Sequence, residues 1–281
     1  MKAKPARNSF PKADSAWRRP AGVAPGTWDY VHSDSIANHY DAFIDGAAVC
    51  DADLAVVTRI FPAIRDAAIG STECRRPMIA DFGCGTGRAA DRLATAGYRV
   101  AAIDLSTAML SRVRQRIATS PPAIAHRIHP IHANLVQLDG LVDDQFAGGV
   151  CLFATLGMIA DRASRRRFLD HARRTIVPGG PMVIHVHHRW AAMHDPGGLR
   201  VITGDFIWGD LLRRRVAGDR RYAYRGIDQM FMHTFTRGEL KRDLAAAGWQ
   251  IRETIWLDIQ GHPAPARRIG RAPGGMIVVA A

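Results

Sequence analysis

The sequence is poor in cysteine and contains no long apolar run. Its four cysteines, Cys50, Cys74, Cys84 and Cys151, are scattered without the paired spacing of a disulfide framework or a zinc site. No apolar stretch approaches the length that a helix needs to cross a bilayer, and the basic N-terminus lacks the apolar core of a secretory signal. We therefore expect free thiols, no metal site, no membrane partner and a cytoplasmic location.

Acidic residues are also scarce relative to basic ones. The chain has 38 Lys and Arg against 26 Asp and Glu, which gives a formal net charge of +12. Such an excess can indicate a nucleic-acid partner, because Lys and Arg displace counterions from phosphates. The arginines are dispersed, however, without the interleaved aromatic residues of a recognised RNA-binding module. A solvated basic surface is the favoured interpretation, and nucleic acid is the alternative partner.

The pattern of a strand, a tight turn and a helix begins at residue 78. The short apolar run Met78–Phe82 is followed by Gly83, Gly85 and Gly87, and a helical pattern starts there. Glycine suits such a turn because it accepts positive φ and lets a ligand approach the backbone closely. A second apolar run ends at Asp104, where an acidic side chain at a strand end can hold ribose hydroxyls. The stretch predicts one nucleotide-binding βαβ unit.

The spacing of the glycines distinguishes between two classes of cofactor. A dinucleotide fingerprint requires Gly-x-Gly-x-x-Gly, whereas this turn reads Gly-x-Gly-x-Gly and is preceded by Asp81 at the strand end. Together with Asp104, this pattern resembles motif I and the following acidic residue of the class I S-adenosylmethionine-dependent methyltransferases. The resemblance implies a Rossmann-like, doubly wound α/β fold. It has a mostly parallel seven-stranded sheet with an antiparallel last strand and helices on both faces.

The resemblance places the methyltransferase domain at 78–281, and the helical pattern before it predicts a helical cap at 27–77. Residues 1–26 hold Lys and Arg among prolines and small residues, so their composition predicts a basic mobile tail. A stretch at 190–230 is longer than a strand-to-helix loop should be, and long inserts in compact domains are usually functional. We expect this insert to lie on the substrate side.

The cofactor S-adenosyl-L-methionine follows from the same resemblance, and its binding residues are carried over by position. They are Asp81, Gly83, Cys84, Gly85, Gly87, Asp104, Leu105, Asn134, Leu135 and Phe153. Asn134 departs from the acidic residue that the family has there, although its carbonyl can still accept a hydrogen bond from the adenine amino group.

The acceptor side is expected at the carboxyl ends of the later strands. Tyr40, Thr155, Met158 and Tyr224 are the candidate pocket residues, with a packed core role as the alternative for Tyr40. His187 and His188 follow the fifth strand, where a histidine can act as general base or form part of the wall. Period two places His185 and His187 on one face of that strand and His188 on the other.

These expectations define the predicted function. The leading hypothesis is methyl transfer from S-adenosylmethionine to a small-molecule acceptor by in-line displacement. Placement of the nucleophile can supply most of the acceleration of such a reaction, so no catalytic motif common to the family is needed. A second hypothesis is an RNA (tRNA) methyltransferase, since residues 231–240 resemble a His-x-Phe-x-x-x-Glu-Leu segment of tRNA wobble-uridine methyltransferases. A third is a non-catalytic S-adenosylmethionine-binding protein.

Overall fold

The structure is a computed structural model that describes residues 19–64, 76–212, 214, 216–265 and 272–281. The first 18 residues of the predicted tail, and Cys74, lie outside the described residues. None of the helices in the described ranges is long and apolar enough to cross a bilayer.

Helices and strands alternate through the middle of the chain, as the βαβ pattern predicts. The helices are α1 (Pro25–Val31), α2 (Asp34–Ile44), α3 (Ala48–Ile60), α4 (Arg88–Thr95), α5 (Thr107–Thr119), α6 (Pro122–Ala125), α7 (Thr155–Met158), α8 (Arg162–Thr175), α9 (Gly198–Gly204) and α10 (Arg237–Ala246). A 3₁₀ segment covers Arg189–His194 and a π-helical segment covers Asp205–Leu211. The strands are β1 (Met78–Phe82), β2 (Arg99–Asp104), β3 (Ile128–His132), β4 (Gly148–Cys151), β5 (Met182–His187), β6 (Asp219–Tyr224), β7 (Ile227–His233), β8 (Ile251–Leu257), β9 (Pro263–Ala264) and β10 (Gly275–Ala280).

The main sheet has the order β3-β2-β1-β4-β5-β10-β8-β9. The first five strands pair in parallel, and β10 runs antiparallel between β5 and β8. The predicted Rossmann-like sheet with an antiparallel last strand is therefore confirmed. The prediction of seven strands was one too few, because the two-residue strand β9 pairs with the edge of β8.

Successive side chains of the buried strands point to opposite faces of the sheet, and they form one apolar core on each face. Ile79 packs in the core beneath α3, α4 and α5, whereas Phe82 packs in the opposite core with residues of α8 and α10. The Phe82 ring lies edge-on to Phe168 at a centroid distance of 5.3 Å. Because both faces are covered, the parallel strands are almost continuously apolar.

The predicted tail extends too far along the chain. Asn134 donates through Nδ2 to the carbonyl of Ala21 at 2.9 Å, and the amide of Ala160 donates to the carbonyl of Gly22 at 2.8 Å. Val23 forms an antiparallel bridge with Ile159, and α1 begins two residues later. Residues 21–26 are thus part of the fold, because tertiary hydrogen bonds fix a segment whose composition suggested a tail.

The insert contains a hairpin that the sequence analysis did not predict. β6 and β7 form a separate two-stranded antiparallel sheet, and β7 contacts α1 along its length. A Cβ added to Gly26 of α1 would lie 1.9 Å from the carbonyl oxygen of Gln229. Only glycine therefore allows this close approach of helix and hairpin.

A buried ionic network anchors the hairpin to the main domain. The fully buried ring of His233 contacts Asp219 through Nδ1 at 2.7 Å and Glu239 through Nε2 at 2.9 Å. Arg189 donates to Glu239 at 2.9 Å and to Asp210 at 3.0 Å. The amide of Glu239 also caps α10 by donating to Thr236 Oγ1.

We predict that Glu239→Gln weakens this anchor in a pH-dependent way. Burial raises the pKa of Glu239, but the hydrogen bond from His233 and the charges of His233 and Arg189 outweigh it, so the pKa lies below its usual value. A carboxyl with a lowered folded-state pKa stabilises the protein above its unfolded pKa and loses that contribution as pH falls through the folded pKa. The variant should lose about 1–3 kcal/mol of unfolding free energy near pH 7, and this difference should close below about pH 4.

Urea unfolding of both proteins at the two pH values measures this effect. Glu253→Gln is the matched control, because Glu253 forms an exposed pair with Arg59 that should contribute little. A wild-type to Glu239→Gln difference that does not change with pH would contradict the assignment.

Candidate functional site

A cavity of about 280 Å³ opens where the strand order changes direction. β2 lies on one side of β1 and β4 on the other, and ligands of open α/β sheets bind at the carboxyl ends of strands at such a point. The cavity is lined by the glycine turn after β1, by the loops after β2, β3 and β4, by α1 and α2, and by the hairpin. Its wall comprises Gly22, Val23, Thr27, Tyr30, Val31, Tyr40, Phe43, Gly83, Gly85, Asp104, Leu105, Met109, Asn134, Leu135, Phe153, Thr155, Met158, Ile159, His187, Tyr222, Tyr224, Met230 and Met232.

The glycine turn is held against the end of β2. The amides of Gly83 and Cys84 both donate to the carbonyl of Ile103, at 2.8 and 3.0 Å. Gly83 and Gly85 have φ values of +77° and +55°, the left-handed region that favours glycine. Gly83 and Gly85 therefore present bare backbone to the cavity, whereas Gly87 begins α4 and lies off the cavity wall.

Asp104 links the turn to the next helix. Its Oδ2 accepts from the amide of Gly85 at 2.8 Å, and its Oδ1 accepts from the amide of Ser106 at 2.8 Å. Burial raises the pKa of Asp104, while these backbone amides and the nearby His132 act in the opposite direction. The carboxyl group thus lies on the cavity wall, at the position where the sequence predicted a ribose ligand.

Asp81 and Cys84 lie behind the turn in a smaller cavity of about 40 Å³. Burial raises the pKa of Asp81 to about 7, against the lowering effect of Arg88. Burial also raises the pKa of Cys84, whose thiol donates to the carbonyl of Gly85. The structure therefore does not bring either side chain to the main cavity.

The loops after β2 and β3 form one end of the cavity. Leu105 and Leu135 supply apolar walls, as expected for a site that holds a planar base. Asn134 also borders the cavity, but its Oδ1 accepts from the amide of Val136 at 3.1 Å and its Nδ2 is bound to the chain near residue 21. The acceptor oxygen assigned to the adenine amino group is thus already engaged in a local turn.

The loop after β4 has strained backbone at the cavity. Phe153 and Ala154 have φ values of +48° and +62°, which non-glycine residues rarely adopt. Strain of this kind concentrates at functional sites, where the surrounding structure enforces it. The ring of Tyr40 meets that of Phe153 edge-on at 6.4 Å.

The predicted acceptor-side residues divide into those on the cavity and those away from it. Tyr40, Thr155, Met158, Tyr224 and His187 all lie on the wall.

His188 points elsewhere. It is buried, its Nδ1 accepts from the amide of Trp190 at 3.2 Å, and its ring packs on Trp256. The structure does not bring His188 to the cavity, because neighbouring residues of a strand face opposite sides of the sheet.

Several wall residues escaped the sequence analysis. They are contributed by the N-terminal segment, α1, α2 and the hairpin, and they include Gly22, Val23, Thr27, Tyr30, Phe43, Met230 and Met232. The short apolar run Met230–Met232 could have indicated a strand. Their meeting with α1 depends on tertiary contacts that no local pattern encodes.

A second cavity of about 430 Å³ adjoins the first and shares His187, Tyr222 and Met232 with it. Three arginines border it. Arg189 is paired with Glu239 and Asp210, Arg220 is paired with Asp205, and Arg221 donates to Gln229. Most of the positive charge on this wall is thus already compensated.

His187 stands at the junction of the two cavities, next to the buried pair of His185 and Asp53. The rings of His185 and His187 lie edge-on at a centroid distance of 5.8 Å, and His185 Nδ1 lies 2.9 Å from the Oδ1 of Asp53. Burial and the neighbouring His185 lower the pKa of His187 to about 4, although Asp53 acts in the opposite direction. The His187 ring is therefore neutral near pH 7 and can accept a proton.

The glycine turn and the strands around it match a known protein family. Residues 79–180, from β1 to the turn before β5, match the family model described as a methyltransferase domain. This part of the chain is therefore similar to a methyltransferase domain. "Putative methyltransferase YqeM" of Bacillus subtilis (strain 168) is 29% identical over 109 residues, which is 39% of this chain and 42% of that protein. The match thus spans less than half of the relative's length.

Solved structures of methyltransferases resemble the fold of this chain over most of its length. The CcbJ methyltransferase from Streptomyces caelestis is 19% identical with a TM-score of 0.58, covering 89% of this chain and 98% of that one. The Burkholderia thailandensis 1,6-didemethyltoxoflavin-N1-methyltransferase is 18% identical with a TM-score of 0.56, covering 92% and 90%. A methyltransferase from Methanosarcina mazei is 20% identical with a TM-score of 0.57, covering 73% and 92%. At these identities the likeness concerns the fold.

The cavity fits S-adenosylmethionine, the cofactor of this methyltransferase family. A Cβ added to Gly83 would lie 2.3 Å from Cγ2 of Thr155, so a side chain there would fill the cradle between the turn and the loop after β4. Asp104 supplies carboxylate oxygens suited to hydroxyl groups, and Leu105 and Leu135 supply flat apolar walls. Among the described residues, no group of three or more His, Cys, Asp or Glu is arranged to hold a metal ion.

We predict that Gly83→Ala impairs cofactor binding far more than Gly46→Ala. Both glycines have positive φ, +77° and +68°, so both substitutions carry a backbone cost of about 1–2 kcal/mol. Only at Gly83 does the added methyl group also meet a neighbour, since no atom lies within 4 Å of the Cβ position at Gly46.

Isothermal titration with S-adenosylmethionine measures this prediction. We expect the Kd to rise at least about ten-fold for Gly83→Ala, a loss of roughly 1.4 kcal/mol, and to stay close to wild type for Gly46→Ala. Equal affinities of the two variants would show that the turn does not form the cofactor site.

Proposed function

We infer that this protein transfers a methyl group from S-adenosylmethionine to a small-molecule acceptor. The observation that carries the inference is the junction at His187, where the cavity at the glycine turn meets a second cavity. A cofactor on one side and an acceptor on the other would face each other there. Holding two reactants in line in this way can supply most of the acceleration of a displacement reaction.

The residues assigned to the cofactor follow from the wall of the first cavity. Asp104 would hold the ribose hydroxyls, Leu105 and Leu135 would enclose the adenine, and the backbone of Gly83 and Gly85 would border the methionine part. When bound, S-adenosylmethionine supplies an electrophilic methyl group attached to a sulfonium. The aromatic side chains of Tyr30, Tyr40 and Phe153 also line this cavity and would exclude water from the bound cofactor.

His187 is proposed as the general base for an acceptor that must lose a proton. Its neutral ring would accept the proton of the attacking hydroxyl or amine at the junction of the cavities. The carboxylate of Asp53 lies 2.9 Å from His185, whose ring lies edge-on to that of His187. Asp53 would therefore stabilise the positive charge that develops when His187 takes up the proton. His185 and Asp53 are positioning residues in this scheme, since neither lies on the first cavity.

The site favours a small acceptor over RNA. The hairpin closes onto α2, where the guanidinium of Arg225 lies 4.1 Å from the ring centre of Phe43. Of the three arginines that border the second cavity, Arg189 and Arg220 are paired with Glu239, Asp210 and Asp205, and Arg221 donates to Gln229, so most of their charge is not free to bind phosphates. His233 and Glu239 of the segment that resembled tRNA methyltransferases are buried in the ionic network, where they have a structural role. The 1,6-didemethyltoxoflavin-N1-methyltransferase, which has a similar fold, holds a small acceptor molecule.

The first experiment tests the cofactor. S-adenosylmethionine and, separately, NADH are titrated into the wild-type protein and into Asp104→Ala and Asp104→Asn. We expect micromolar binding of S-adenosylmethionine, no binding of NADH, and about a hundred-fold weaker binding by Asp104→Ala, because two hydroxyl hydrogen bonds to a charged group are lost.

Asp104→Asn separates cofactor contacts from support of the turn. Asparagine retains one oxygen for one of the two backbone amides that Asp104 accepts, those of Gly85 and Ser106, so its thermal midpoint should fall less than that of Asp104→Ala while its affinity falls. If wild-type protein does not bind S-adenosylmethionine, the proposed function is wrong.

The second experiment tests transfer and the base. Methyl-labelled S-adenosylmethionine is incubated with a bacterial small-molecule extract and, in parallel, with total tRNA. We expect label in the small-molecule fraction, and a fall in rate of about a hundred-fold or more for His187→Asn with an unchanged Kd for the cofactor. Because the pKa of His187 is about 4, the wild-type rate should be level near neutral pH and fall as pH drops toward that value.

His188→Asn is the matched control for the neighbouring ring, since His188 faces away from both cavities. An equal fall in the rate of methyl transfer for the two variants would show that His187 is not the base. Label in tRNA alone would support the RNA alternative, and cofactor binding without transfer to either pool would support a non-catalytic binding protein.

A further inference from the structure

Exposed apolar side chains concentrate in one part of the insert. Among the residues that the structure describes, ten large apolar side chains between positions 190 and 216 are exposed. They are Trp190, Met193, Leu199, Val201, Phe206, Ile207, Trp208, Leu211, Leu212 and Val216, and we call them the apolar insert surface. Elsewhere in the described ranges only Phe43, Val142, Tyr222 and Ile259 are comparably exposed. Soluble domains rarely leave such a concentration uncovered unless it binds a partner.

The segments that carry this surface are anchored by their other sides. α9 contacts both the 3₁₀ segment and the π-helical segment. Gly209 packs on Ala217, since a Cβ at position 209 would lie 2.6 Å from the methyl carbon of Ala217. The buried carboxylate of Asp205 accepts from Arg220 and from the amide of Gly218. Polar contacts thus face the domain, and the apolar side chains face outward.

Two exposed arginines border the surface. Arg200 is exposed on α9, and the guanidinium of Arg214 lies over the ring of Trp208 at 5.7 Å. Of the acidic residues there, Asp210 is paired with Arg189, and Asp195 is exposed. Trp, Phe and Leu beside arginines are typical of segments that lie in the interface of an anionic membrane.

Charge decides between two occupants of this surface. A second copy of the chain would bring the same arginines together, and the whole chain already carries a net charge of +12. An anionic lipid surface would instead attract the arginines while the Trp, Phe and Leu side chains enter the headgroup region.

We propose that the apolar insert surface docks this protein on an anionic lipid bilayer. The expectation of no membrane partner was based on the length of a spanning helix, and peripheral docking does not require one. Ala191, Ala192 and Val201 also border the second cavity, so docking would bring the mouth of that cavity to the lipid. An acceptor dissolved in the membrane would then reach the site directly.

Vesicle sedimentation tests this proposal independently of methyl transfer. Wild-type protein is mixed with vesicles of phosphatidylcholine alone and with vesicles of equal parts phosphatidylcholine and phosphatidylglycerol. We expect it to sediment with the phosphatidylglycerol vesicles, to do so less at high salt, and to remain largely in solution with phosphatidylcholine. Phe206→Ser with Leu211→Ser should lower the partition coefficient about ten-fold, since both side chains are more than half exposed.

Val142→Ser is the matched control. Val142 is 68% exposed in the loop between β3 and β4, outside the insert, and its substitution should leave sedimentation unchanged. Thermal unfolding shows whether the double variant is folded. Absence of sedimentation with the phosphatidylglycerol vesicles, or equal loss in the control, would overturn the proposal. So would a wild-type dimer in solution that the double variant converts to a monomer.

Discussion

The site depends on the attachment of the glycine turn to the end of the neighbouring strand. Three backbone amides after β1 point at β2: those of Gly83 and Cys84 reach the carbonyl of Ile103, and that of Gly85 reaches Asp104. These bonds fix a left-handed backbone that would otherwise cost conformational entropy to hold. Because the same carboxylate also receives the amide of Ser106, the turn, the strand end and the start of α5 form one rigid rim of the cavity.

The second half of the site is built around that rim by elements distant in sequence. α1 and α2 cover the cavity from one side, and the hairpin covers it from another. The hairpin is oriented by the close approach of Gly26 to β7 and by the ring of His233 between two carboxylates. Breaking one partner of a buried pair is costly, since the charge left behind has no solvent. The network therefore specifies one placement of Tyr222, Tyr224 and the methionines of β7 over the cavity.

The two cavities differ in the charged side chains that border them. The carboxyl group of Asp104 lies on the wall of the first cavity, which suits a cationic sulfonium cofactor, whereas Asp81 lies behind the turn. At the second cavity Arg189 and Arg220 are paired with carboxylates and Arg221 donates to Gln229, so most of the arginine charge on that wall is compensated. His187 lies between these environments, and its neutral state follows from burial. The apolar insert surface lies at the outer side of the second cavity.

Local sequence was sufficient for the central sheet. Short apolar runs and the glycine spacing each act over a few neighbouring positions, so β1, β2 and the turn between β1 and α4 were predicted correctly. Period two along β5 also predicted that His185 and His187 share one face of the sheet. The contact of His185 with Asp53 of α3 shows that this is the face that α3 covers. The tail, the hairpin and the edge strand β9 were missed, because distant backbone partners fix them and their own composition does not.

The sequence by itself thus determined the class of fold and the cofactor cradle, since both depend on residues within one βαβ unit. Tertiary structure alone decided which candidates reach the cavity. His187 does and His188 does not, Cys84 faces a smaller cavity behind the turn, and Asn134 is engaged by the chain near residue 21. It also decided that apolar residues of the insert remain exposed. The physical reason is that burial and hydrogen-bond partners are properties of the packed chain, whereas periodicity and turn preference are properties of neighbouring residues.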